Sequence, residues 1–176
     1  MTVLAGPFAV AAVVLLLAGA LKAARPTDTA NALRALGVPA ARPVVRVGGA
    51  VEVVIGAAAL AFGGRALAAL VGASYLAFTG FVAVALVRRI PIASCGCFGK
   101  VDTPPSSIHL ALDGLAALAS LWLAVHAGGA PAVDEVLTDQ PLLGLPFLAL
   151  LALATYLAYL ALSVLPKSRA VARRMV

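Results

Sequence analysis

Five long apolar runs alternate with short polar segments along this chain. Whole windows of about 20 residues lack the polar stripe that each helix of a soluble bundle carries. Runs of this length are typical of membrane-spanning helices. The pattern therefore predicts an all-α, polytopic membrane helix bundle of about five transmembrane helices, a four-helix core plus one. We expect the bundle to form one domain over residues 1–176. Its predicted spans lie at about 3–21, 44–62, 67–87, 108–125 and 142–165.

The first apolar run, Val3 to Leu21, also has features of a signal peptide, because Ala18, Gly19 and Ala20 look like a small-residue cleavage site. No Lys or Arg precedes the run, so the positive segment of a signal peptide is missing. We therefore expect an uncleaved first span.

Composition excludes a soluble globule. The chain is 63% apolar and 11% charged, with a mean hydropathy of +1.08, whereas soluble domains are about a quarter charged. The net charge is +6, but the positive residues lie in particular loops. This distribution favours contact with a lipid bilayer and argues against a nucleic-acid partner.

A short helix is predicted between the first two spans, bracketed by Pro26 and Pro39. Thr27 or Asp28 is a candidate cap for its start, and Gly37 for its end. Its apolar residues fall on one face, so we expect it to rest in the membrane interface rather than to cross.

The second span carries an acidic residue, Glu52, with Gly48 and Gly56 four residues to either side on the same helix face. Glycines at this spacing let another helix approach closely, so Glu52 is expected to face the bundle interior and find a partner there. The alternative to a chemical role is an ion pair, for example with Lys22, that only holds the bundle together. Two more glycines of the third span are further predicted contacts, Gly72 and Gly80.

The two cysteines of the chain, Cys95 and Cys97, are separated by Gly96 in the loop between spans three and four. A disulfide between residues i and i+2 requires a sharp backbone bend, which glycine permits. Such a bond is strained and suited to exchange. Nearby positive charges, among them Arg88, favour the reactive thiolate.

Two further groups follow the cysteines at the start of the fourth span, where a serine is available to cap the helix. His109 and Asp113 are four residues apart and share one helix face. Protonated His109 would favour thiolate, while Glu52 or Asp113 is a candidate to take or deliver the proton that exchange requires.

Other interpretations of these residues remain open. The two thiols are also consistent with structural packing. Cys95, Cys97 and His109 are candidate ligands for copper(I) or zinc, although a closed zinc site requires a fourth ligand. His109 and Asp113 are also consistent with a polar helix start that has only a capping role.

Orientation follows from the distribution of Lys and Arg among the loops. Alternate loops hold twelve and one of the 13 residues, and the single one is Arg65. The positive-inside rule then predicts an outside amino terminus and a cytoplasmic carboxyl terminus in a bacterial-type cell membrane. The cysteine loop falls on the cytoplasmic side, or enters the bilayer as a re-entrant loop.

The chain resembles the MauE family of membrane proteins, which is related to the DoxX group. The resemblance covers about residues 10–125. It rests on the following motifs: Cys95-Gly96-Cys97-Phe98-Gly99, a polar proline-containing stretch, a helix opening near Ile108-His109, Ala18-Gly19-Ala20-Leu21-Lys22 followed by Pro26, Gly37-Val38-Pro39, and Glu52.

What the resemblance implies is a redox-associated membrane protein with Cys95 and Cys97 as the redox pair and Glu52 as an intramembrane acid. The family's namesake serves methylamine dehydrogenase maturation and is thought to support disulfide formation in a periplasmic subunit, with a thioredoxin-like partner. That periplasmic task lies across the membrane from the cytoplasmic loop that the charges predict.

Three functional hypotheses follow. The first is a membrane thiol–disulfide exchange protein, a possible oxidoreductase, in which Cys95 and Cys97 exchange with a thioredoxin-like protein or a disulfide-containing client, without a cofactor. The second is a non-enzymatic membrane subunit or metal-handling protein. The third passes electrons to a quinone, although no residue in the sequence specifically marks a quinone pocket.

Overall fold

The computed structural model describes residues 4–90, 104–133, 135 and 141–163. Within these ranges the chain is helical and has no strand, which confirms the predicted all-α bundle. Its helices are α1 (Ala5–Ala24), α2 (Pro26–Ala35), α3 (Arg42–Phe62), α4 (Arg65–Val87), α5 (Ser107–His126) and α6 (Pro141–Ser163).

Two antiparallel helix pairs form the bundle: α1 packs along α3, and α4 packs along α5. Glycine sets the close approach in both pairs. A Cβ atom on Gly56 would lie 2.8 Å from the carbonyl oxygen of Ala12, and one on Gly72 would lie 2.7 Å from Cγ of Leu121. The predicted contacts at Gly48 and Gly80 are wrong, because a Cβ atom at either position meets nothing within 4 Å.

The short helix α2 lies at the end of the bundle where α1 ends and α3 begins. It starts at Pro26 with Arg25 as its N-cap residue, so the predicted capping by Thr27 or Asp28 is wrong. Proline suits this first position because its fixed φ is already helical. Gly37 has φ +82° and follows the helix end, as predicted. With 10 residues, α2 is about 15 Å long, too short to cross a bilayer.

The opposite end of the bundle is closed by the turn between α3 and α4. Gly63 and Gly64 both have positive φ, of +59° and +91°, a conformation that glycine adopts at little cost. The amide of Gly64 donates a hydrogen bond of 2.7 Å to the carbonyl oxygen of Ala130, beyond the end of α5. This backbone pairing ties the two helix pairs together at that end.

The outer faces of the bundle are apolar. Leu15, Val71 and Leu123 are fully buried in the core, but Val54, Leu118 and Leu153 are more than half exposed on three different helices. Four helices, α1, α3, α4 and α5, are long and apolar enough to cross a membrane, and α6 contains the shorter apolar helix Pro146–Leu162. Exposed apolar faces on helices of this length fit a lipid environment, and the chain is a multi-pass membrane protein.

Candidate functional site

A buried ion pair joins the first two long helices. Lys22, in the last turn of α1, donates to both carboxylate oxygens of Glu52 on α3, at 2.8 and 2.7 Å. The side chains are 6% and 16% exposed. The predicted inward orientation of Glu52 is confirmed. Its partner is Lys22, the residue named above as the candidate for a structural ion pair.

The lysine also contacts the second helix pair. Its Nζ atom lies 4.0 Å from the centroid of the Phe78 ring on α4, a distance that permits a cation–π interaction. Lys22 therefore bridges α1, α3 and α4. The attraction within a buried charged pair offsets its desolvation cost only when the geometry is good, and here the ammonium group contacts both Glu52 oxygens.

The start of α5 supplies two more buried polar groups. His109 is 1% exposed and Asp113 is 6% exposed, and they lie on the same helix face as predicted. Ser106 is the N-cap residue of α5, but its hydroxyl makes no capping bond to the backbone. Its Oγ atom lies 2.8 Å from Nδ1 of His109 instead. The serine therefore orients the histidine ring.

The lysine of the ion pair and the two polar residues of α5 line one small cavity. Its volume is about 20 Å³, and Lys22, His109 and Asp113 line it together with Tyr75 and Phe78. A space of this size holds one water molecule, which needs two to four polar partners. The cavity brings His109 and Asp113 to the lysine that binds Glu52. Three of the predicted site residues thus belong to one buried cluster: Glu52, His109 and Asp113.

Cys95 and Cys97 lie outside the described residues. The described chain leaves α4 at Ile90 and resumes at Pro104, just before α5. Ile90 packs against a buried cluster formed by Ala32 of α2 and Ala85 of α4. The segment with the cysteines therefore leaves from and returns to the end of the bundle where the polar cluster lies.

Sequence reasoning missed Tyr75 and Phe78 of α4. The Tyr75 hydroxyl donates a hydrogen bond of 2.8 Å to the carbonyl oxygen of Ala11 on α1, and its side chain is buried. Its ring packs edge-on against Phe78, with centroids 5.7 Å apart. A tyrosine inside an otherwise apolar span was the available signal, since a buried phenol needs a hydrogen-bond partner.

The alternative metal site would be formed by His109, which the structure describes, and by Cys95 and Cys97, which lie outside the described residues. Among the residues that the structure describes, no group of three or more His, Cys, Asp or Glu side chains is placed to hold a metal ion. Because Cys95 and Cys97 fall outside those residues, a site that they form with His109 stays a prediction.

Comparison with known proteins agrees with the architecture. The family model described as methylamine utilisation protein MauE matches residues 1–126. This range contains α1 to α5, the polar cluster and both cysteines. No curated protein and no solved structure matches the chain. With a match over well more than half of its length, the chain belongs to the MauE family.

Proposed function

We propose that this membrane protein performs thiol–disulfide exchange, with Cys95 and Cys97 cycling between a dithiol and a disulfide. The partner is a thioredoxin-like protein or a disulfide-containing client, and the exchange supports maturation of a partner protein. The observation that carries the proposal is the buried polar cluster of Glu52, Lys22, His109 and Asp113 at the end of the bundle from which the cysteine segment departs.

The chemistry needs only the two thiols and the partner. The thiolate of one cysteine attacks the partner's disulfide and forms a mixed disulfide, with one partner thiolate as the leaving group. The second cysteine then attacks its neighbour's sulfur, which forms the Cys95–Cys97 bond and releases the partner as a dithiol. Two thiols have been oxidised and one disulfide reduced, and the sequence runs in either direction.

Thiol–disulfide exchange in an apolar environment needs groups that accept and return protons, and the polar cluster contains such groups. Thiolates are the attacking species, so each step moves a proton. His109 is the third residue of α5, and its ring is held by Ser106 and lines the same cavity as Asp113. An imidazole with a carboxyl group beside it is suited to accept and return a proton. We assign this role to His109 and Asp113, and the role of an intramembrane acid to Glu52.

Orientation is part of the proposal. With an outside amino terminus, the end of the bundle that holds the polar cluster faces the cytoplasm. The Lys and Arg distribution supports this orientation, because twelve of the 13 residues fall on that side. An exchange partner would then approach from the cytoplasmic side or reach the cysteines within the membrane.

A trapping experiment tests the exchange. In the full-length Cys97→Ser variant, a mixed disulfide through Cys95 cannot be resolved by its neighbour, so we expect a covalent complex that reductant dissolves. The Cys95→Ser/Cys97→Ser variant is the matched control and should trap nothing. Thiol alkylation of the unmodified protein after oxidant and reductant should show both cysteines changing together. If no complex forms and the thiols do not respond to oxidant, the proposal is wrong.

A further inference from the structure

The end of the bundle that holds the polar cluster also carries exposed arginines. Arg34 lies in the last turn of α2, and Arg88 and Arg89 directly follow α4. All three side chains are exposed, and none has an ion-pair partner among the residues that the structure describes. Together these arginines form a positively charged surface, the basic patch.

The members of the basic patch come together because α2 and α4 end side by side. Ala32 of α2 and Ala85 of α4 are buried in one apolar cluster, against which Leu36 and Ile90 pack. Each arginine of the patch is within a few residues of this cluster. The patch adjoins the cysteine segment, because Cys95 comes only five residues after Ile90, where the described part of α4 and its end stop.

The two helices end in the same backbone motif. At the end of α2, the amide of Val38 donates a hydrogen bond of 3.0 Å to the carbonyl oxygen of Leu33. At the end of α4, the amide of Ile90 donates one of 3.1 Å to the carbonyl oxygen of Ala85. The residue before each donor takes a left-handed conformation, for which glycine is preferred. In α2 that residue is Gly37, with φ +82°.

Arg89 occupies the same position at the end of α4, with φ +51°. Every other positive φ in the described chain belongs to a glycine. A residue with a Cβ atom is strained in this conformation, and the arginine side chain is not part of the backbone hydrogen bonds of the motif. Because glycine would suit the helix end better, the side chain of Arg89 is expected to have a use outside the fold.

We propose that the basic patch binds an acidic surface of the exchange partner and thereby selects which disulfides reach Cys95 and Cys97. This inference rests on the proposed function, since it specifies the charge of that partner. Opposite charges around two reacting groups raise the rate of encounter by about 10- to 1000-fold at low salt. Guanidinium groups also bind carboxylates through paired hydrogen bonds, so acidic side chains beside the partner's disulfide fit the patch.

Anionic lipid headgroups are the other ligand that exposed arginines attract. A lipid surface attracts an arginine at any position near the interface and does not require one at a position where glycine is preferred. An exchange partner has to meet the chain beside the cysteine segment, and Arg88 and Arg89 lie there. The backbone at Arg89 therefore favours a protein partner over lipid.

Two small disulfides of different charge serve as probes, the dianion dithiodipropionate and the neutral hydroxyethyl disulfide. Each reacts with the reduced full-length protein in phosphatidylcholine nanodiscs, and the loss of protein thiols gives the rate. Loss of a neighbouring positive charge lowers the thiolate fraction and slows both reactions, so only the ratio of the dianion's rate to the neutral probe's rate measures attraction to the patch. We expect this ratio to fall as salt is added.

Three variants test the patch. Arg88→Gln/Arg89→Gln should lower the ratio about tenfold at low salt. The matched control is Arg25→Gln/Arg42→Gln, which removes two exposed arginines beside α1 and α3 at the same end of the bundle, and it should keep the ratio of the unmodified protein. Arg89→Gly should also lower the ratio, while its unfolding temperature in detergent micelles should not fall, because glycine suits the left-handed position.

The outcomes separate docking from exchange. A ratio that Arg88→Gln/Arg89→Gln leaves unchanged would mean that these arginines meet lipid alone, and an equal loss in the Arg25→Gln/Arg42→Gln control would mean that only net charge matters. Either result overturns the docking surface and leaves the exchange proposal standing, because the thiols still react. A lower unfolding temperature for Arg89→Gly would overturn the assignment of Arg89. Thiols that react with neither disulfide would overturn both proposals.

Discussion

Gly19 of α1 and Gly49 of α3 face each other across the helix pair with no room for a side chain on either. A Cβ atom on Gly19 would lie 2.6 Å from the carbonyl oxygen of Gly49, and one on Gly49 would lie 2.6 Å from the carbonyl oxygen of Gly19. These contacts are to backbone, which cannot move aside as a flexible side chain can. Glu52 lies opposite Gly19 and Lys22 lies opposite Gly49, because the Cβ atom added at each glycine would lie 2.7 and 3.0 Å from their Cβ atoms. The two long side chains therefore meet across the glycine contact.

Gly49→Ala should therefore destabilise the protein by about 1–3 kcal/mol, the range for overpacking a tight interior. The adjacent Gly48→Ala is the matched control, because its Cβ atom meets nothing within 4 Å and alanine is the better helix former. Thermal unfolding in detergent micelles measures both. Equal unfolding temperatures for the two variants would contradict the glycine contact.

Removal of one member of the ion pair should cost more than removal of both. Lys22→Met leaves a buried carboxylate and Glu52→Leu leaves a buried ammonium group, each at a cost of about 3–5 kcal/mol. The Lys22→Met/Glu52→Leu variant leaves no unpaired charge, so we expect it to be more stable than either single variant. A double-mutant cycle on unfolding free energies gives the coupling, and additive effects would show that the pair contributes nothing.

The hydrogen bond from Tyr75 to Ala11 joins the two helix pairs through the core. Tyr75→Phe keeps the ring and removes the donor, so we expect a loss of about 0.6–1.7 kcal/mol, as for hydrogen bonds between membrane helices. Tyr156→Phe is the control, because Tyr156 is 58% exposed. Unfolding in a denaturing detergent compares the two. A control that loses as much stability as Tyr75→Phe would argue against the bond's contribution.

Orientation can be tested with two exposed alanines at opposite ends of the bundle. Ala35 ends α2, beside the polar cluster, and Ala66 follows the Gly63–Gly64 turn. On a Cys95→Ser/Cys97→Ser background, a membrane-impermeant maleimide added to intact cells should label Ala66→Cys and not Ala35→Cys. Permeabilised cells should show labelling of both. The reverse pattern in intact cells would place the amino terminus in the cytoplasm.

The apolar runs were sufficient to predict the bundle, because a span of about 20 residues without a polar stripe has few alternatives. Helix rotation was harder to predict. Gly48 and Gly49 are adjacent, and only packing against α1 decides that Gly49 faces inward. Glu52 signalled an interior partner, and the candidate Lys22 was correct. The contact between Ser106 and His109 was not predictable, since an N-cap serine ordinarily bonds to the backbone.

The hydrogen bond between Gly64 and Ala130 gives the molecule unequal ends. It fastens the connection between α3 and α4 to the chain beyond α5, so the helix pairs are held together farthest from Lys22 and Glu52. Any separation of α3 from α4 then increases with distance from this fastened end. Such a separation would admit molecules near Lys22 and Glu52, while the bundle would remain closed at the opposite membrane face.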